Sequence, residues 1–72
     1  MEGNVTLREL RERQEWTQEK LAEIAEVDVQ VIQDIEGGKE VSWTIATRIT
    51  VKVKNYVGSQ AIEGLHIPQN RD

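Results

Sequence analysis

Between Thr17 and Lys39 the chain reads TQEKLAEIAEVDVQVIQDIEGGK, two short apolar runs separated by a break. Leu21, Ala22, Ile24 and Ala25 fall at helical spacing, and after Glu26-Val27-Asp28 the pattern resumes at Ile32 and Ile35. Steps of three and four bring side chains onto one face of a helix. Thr17 and Asp28 each stand one place ahead of a run, where a side-chain oxygen can accept the first unpaired backbone N–H groups. The pattern therefore predicts helices over Gln18–Ala25 and Val29–Glu36, joined by a tight turn, with Ala22 small enough for a close crossing. That is helix-turn-helix geometry.

The flanking segments extend the same arrangement. Thr6-Leu7-Arg8-Glu9 reads as a capping box with Val5 and Leu10 as its hydrophobic staple, so a first helix is expected from Leu7 to about Gln14. Trp16, just ahead of the Thr17 cap, is expected to pack into the core. Gly37-Gly38 is a natural stop for the third, because glycine accepts positive φ without a steric penalty. Ser42 should cap a fourth helix from Trp43 to about Lys54 that turns Trp43, Ala46, Ile49, Thr50 and Val53 inward. A rival strand reading of Thr50–Lys54 rests on alternation and β-branching. A fifth helix is expected over Gln60–Leu65, burying Ile62 and Leu65. The expected fold is all-α: five short helices around one small core. Residues 1–67 should form a single domain with a frayed start at 1–4, and 68–72 a disordered tail after Pro68.

Thr17-Gln18, Leu21-Ala22, Val27, Ile32, Ile35-Glu36 and Gly38-Lys39 resemble the signature of the Cro and lambda-repressor-type DNA-binding domains, over about Leu7 to Val53. The resemblance implies that Gln18 touches a DNA phosphate and that the third helix enters the major groove. It places Val29, Gln30, Gln33 and Asp34 toward the bases and Lys39 toward a phosphate. Glutamines can read adenine, and valine can meet a thymine methyl. Glu15 stands where such domains often have glycine, which leaves the shape of that turn open, and Glu26 where they favour a left-handed glycine, a conformation that costs a non-glycine residue about 1 kcal/mol.

Charge changes this picture. The 72 residues carry a net −4 and no cysteine. Residues 17–36 hold Glu19, Glu23, Glu26, Asp28, Asp34 and Glu36 against Lys20 alone, a net −5, whereas 39–54 carry +3. The acidic excess thus lies on the helix pair expected to meet phosphates, with no Arg or Lys in the third helix. Like charges repel there, and counterion release, which drives DNA binding, requires the opposite sign. A basic protein surface fits such a face better, and the DNA-reading face of another repressor is one.

The expected function is accordingly a switch regulator on a repressor-like scaffold, and in size and sequence the chain resembles the modulator-of-repression (anti-repressor) proteins of temperate lactococcal phages. It would bind the DNA-binding domain of a partner repressor, meeting DNA weakly or only jointly with that partner. The contact residues expected are Gln18, Glu19, Asp28, Val29, Gln30, Gln33, Asp34 and Lys39. The alternative is an autonomous Cro-like repressor that binds its operator as a dimer. An antitoxin is a third reading, disfavoured by the short C-terminal tail.

Enzymatic chemistry is not expected. His66 is the lone histidine and has no acid or thiol at ligand spacing, so neither a metal nor a cofactor is implied. The absence of cysteine suits the reducing cytoplasm of a bacterial host cell. No apolar run approaches the roughly 20 residues that span a bilayer, and MEGNVT does not read as a secretory signal. A chain this short buries only about 60% of its extended surface, which points to marginal stability.

Overall fold

The computed structural model describes residues 5–70; the expected frayed start at 1–4 and the last two residues of the expected tail lie outside them. In chain order the elements are β1 (Val5–Thr6), α1 (Leu7–Arg13), α2 (Gln18–Ala25), α3 (Val29–Glu36), β2 (Val41–Ser42), α4 (Trp43–Val57), a 3₁₀ turn (Ser59–Ile62), β3 (Leu65–His66) and β4 (Gln69–Asn70).

Helix starts follow the capping side chains. Thr6 Oγ1 accepts the Glu9 N–H at 3.1 Å while Glu9 Oε1 accepts the Thr6 N–H at 3.0 Å, a complete capping box. Thr17 caps α2 through the Lys20 N–H, Asp28 caps α3 through the Gln30 N–H, and Ser42 caps α4 through the Ile45 N–H. Each bond satisfies one N–H that the helix itself leaves unpaired.

The first three helices also stop in one way. Trp16 N–H donates to Arg11 O, Val27 N–H to Ala22 O and Lys39 N–H to Asp34 O, with the preceding residue bonded inside that loop each time. This is the Schellman pattern, which needs a left-handed residue after the helix. Glycine supplies it only after α3, at Gly38 (φ 93°); Glu15 (φ 61°) and Glu26 (φ 60°) supply it after α1 and α2.

Leu7, Leu10, Leu21, Ala25, Ile32, Ile49 and Val53 form the centre of the core, with Ile62 and Ile67 closing it from the C-terminal side. α4 packs across α2 and continues three residues past Lys54, so the strand reading of its second half fails. Its helical bonds persist to Gly58, which turns out of the helix at φ 94°. Trp43, expected inward, is 60% exposed, because the buried stripe of α4 begins one turn later at Ala46.

The C-terminal segment differs most from expectation. There are four α-helices among the described residues, and the expected fifth is a 3₁₀ turn of four residues. Beyond it the chain runs extended: β3 pairs in parallel with β1 (Val5 with Leu65, Thr6 with His66), and β4 with β2 (Val41 with Gln69, Ser42 with Asn70). Gln69 and Asn70, expected in a disordered tail, are thus a strand. Between the two pairings Ile67 is 4% exposed in the core. Leu65–Asn70 is therefore a strap tying the residues just ahead of α1 to those just ahead of α4.

Candidate nucleic-acid and protein interface

α2 and α3 present the eight expected contact residues on neighbouring elements, in several different states. Glu19, Asp28, Gln30, Gln33 and Lys39 are exposed. Val29 is half-buried and packs against the core, so little of it remains to meet a base. Asp34 is half-buried on α3: its Oδ1 accepts from Gln30 Nε2 at 3.0 Å and lies 3.7 Å from Lys39 Nζ. Gln30, Asp34 and Lys39 thus form one linked row along α3, whereas Gln33 makes no side-chain hydrogen bond among the described residues.

Gln18 is turned into a different network. Its Nε2 donates to Glu36 Oε1 at 3.1 Å, and Glu36 also takes two bonds from Arg11, at 2.6 Å to Nε and 3.0 Å to Nη2. Arg11 Nη1 donates in turn to the Trp16 carbonyl at 2.8 Å. One guanidinium and one carboxylate, joined in the two-pronged geometry that suits them, therefore lock α1, the α1–α2 turn, α2 and α3 together. Burial alone would raise the Glu36 pKa, but the hydrogen bonds from Arg11 and Gln18 and the charge of Arg11 outweigh it and hold the carboxyl below its ordinary 4.5. Arg11 is held more firmly charged by the hydrogen bonds it donates to Glu36, against the opposing effect of burial.

This network changes the charge account. Three of the six acids in 17–36 have a cation from outside that stretch: Glu36 with Arg11, Asp34 with Lys39, and Glu26 with Lys52 at 3.3 Å. Adding those three cations to the segment's −5 leaves −2. Glu36 belongs to the frame and not to the presented face. Its position gave a signal: it adjoins Ile35 and lies four places after Ile32, at the margin of an apolar stripe where a solvated acid is unusual. Arg11, four places after Leu7, is at the matching margin of α1.

The remaining charge is not evenly spread. Asp28 stands ahead of α3 with its Oδ1 on the Gln30 N–H at 2.9 Å, and Glu19 lies in the first turn of α2. Helix N-termini carry unpaired N–H groups and a positive dipole end, and are the places where helix-turn-helix units receive phosphate. Both poles here are already attended by a carboxylate of the chain itself. A nearby aromatic cluster joins α2 to the end of α4: Trp16 and Tyr56 meet edge to face with ring centres 5.6 Å apart, and Lys20 Nζ lies 5.8 Å from the Tyr56 ring centre.

Among the described residues no helix is long and apolar enough to cross a membrane. No curated protein and no solved structure matches the chain. The family comparison agrees with the geometry: the helix-turn-helix domain family matches residues 5–51, from β1 into the second half of α4 and short of the strap. The chain belongs to the helix-turn-helix domain family.

Proposed function

We propose that this protein regulates transcription by presenting its helix-turn-helix edge to the DNA-binding domain of a partner repressor, as an anti-repressor does. The observation that carries this reading is the pair of carboxylates, Glu19 and Asp28, at the N-terminal ends of α2 and α3. Phosphate docking there would set an anion beside an anion. Lysine and arginine side chains from a repressor's reading face would meet the same groups favourably. Gln18, which would hold a phosphate in a Cro-like protein, has its amide on Glu36, and Lys39 is drawn to Asp34. Repeated selection from a randomised duplex pool tests the reading: no enriched site is expected at physiological salt.

One observation favours a second reading, an autonomous Cro-like DNA-binding repressor. Pairing with Arg11, Lys39 and Lys52 cuts the charge deficit of the reading unit, and exposed Gln30 and Gln33 offer amide groups able to read adenine. An enriched palindrome bound at nanomolar concentration by the protein alone would establish that reading instead.

A further inference from the structure

Three large apolar side chains stay exposed among the described residues: Trp43, Val51 and Tyr56. Tyr56 is engaged by Trp16 and Lys20; the other two have no such contact. Trp43, Thr47 and Val51 follow one another at steps of four along α4 and so share one stripe of its surface. Trp43 and Val51 are separated by about 12 Å along the axis. Beside the stripe a groove of about 210 Å³ runs between α4 and the strap, with Ala46, Thr50, Val51, Leu65 and Ile67 in its wall.

We infer that this face joins two copies of the chain, α4 against α4 and antiparallel, about a two-fold axis at Thr47. That axis exchanges residues equally far on either side of position 47, so Trp43 of each copy meets Val51 of the other. A two-fold interface must be self-complementary. Here the projecting indole and the groove that receives it lie on one surface. The groove suits an indole, an apolar ring with a single N–H, because its wall sets the aliphatic carbons of Val51 and Leu65 beside the polar groups of Thr50, His66 and Gln69. The same axis carries Lys54 past the start of the second copy's α4, toward the loop that holds Glu40. Both are exposed, and neither takes part in an ion pair among the described residues. A nucleic acid would find Arg48 and Lys54 for its phosphates beside this stripe, but no cation on the row from Trp43 through Thr47 to Val51.

Sedimentation equilibrium at micromolar concentration should give twice the chain's 8.2 kDa. Val51→Lys, checked for folding by circular dichroism, should weaken the dimer at least about 30-fold, since a charge would be buried twice per interface. The chain lacks cysteine, so Thr47→Cys gives a second, independent reading. On mild oxidation it should cross-link into a covalent dimer far faster than Arg48→Cys, because the axis brings the two copies of residue 47 near disulfide range. A wild-type protein at monomer mass would overturn the inference. So would a dimer indifferent to Val51→Lys, or equal cross-linking of the two cysteine variants. A monomer whose Trp43 emission responds only to added duplex or to a basic repressor domain would assign the face to that ligand instead.

Discussion

Arg11 Nε lies 2.6 Å from Glu36 Oε2, joining the first helix of the domain to the last turn of the third across 25 residues of sequence. The Glu36 side chain is 7% exposed, so its charge depends on this partner. Removing one member of a buried pair leaves the other desolvated and uncompensated. Arg11→Ala should therefore lower stability by about 3 kcal/mol, a large part of the roughly 4–10 kcal/mol available to a chain of this size. Urea denaturation followed by circular dichroism measures it. A loss below about 1 kcal/mol would class the pair with ordinary surface bridges.

Glu36 also sets a pH dependence. Its folded pKa is depressed below the ordinary 4.5, so its contribution to stability is present in full above that value and is lost as pH falls through the lower folded value. The denaturation midpoint should drop below pH 4.5 more steeply in the wild type than in Glu36→Gln, whose position 36 does not titrate. Parallel curves for the two proteins would contradict this.

The left-handed glutamates offer the opposite kind of test. Glu15 at φ 61° and Glu26 at φ 60° hold conformations that glycine adopts without strain. Glu15→Gly should stabilise the fold by up to about 1 kcal/mol, measured as a rise in Tm. Glu26→Gly should yield less, because it also gives up the exposed pair with Lys52.

The strap is open to truncation of a single side chain. Ile67→Ala should cost about 2–4 kcal/mol as a cavity opens where the C-terminal segment enters the core. Gln69→Ala, at an exposed position of β4, should be near neutral. Equal effects of the two would show that the strap is held by its backbone pairings and not by Ile67.

Most of the helical fold was legible because its signals are local. The bounds of α2 and α3 and the capping of Thr6, Thr17, Asp28 and Ser42 depend on residues within one turn of each other, and the structure repeats them. The strap was not legible. Two-residue parallel pairings between 5–6 and 65–66, and between 41–42 and 69–70, leave no periodicity, and a proline ahead of polar residues reads as a tail. Val51-Lys52-Val53 alternates like a strand, yet the buried stripe Ala46, Ile49, Val53 across α2 keeps it helical. At the site, charge could be counted but not paired. Glu36 counts as one more acid in the sequence, because its partners Arg11 and Gln18 lie 25 and 18 places away and only the fold brings them to it.

The central claim is that Glu19 and Asp28 turn this helix-turn-helix edge from a duplex toward a basic regulator. Its most direct test is release of a basic repressor of the helix-turn-helix type from its labelled operator, followed by fluorescence anisotropy as the protein is added. The account predicts that the wild type frees the operator without binding it, and that Glu19→Lys frees it poorly while gaining non-specific DNA affinity. Tight binding of the operator by the wild-type protein alone, with the repressor left in place or merely outcompeted for the site, would contradict it.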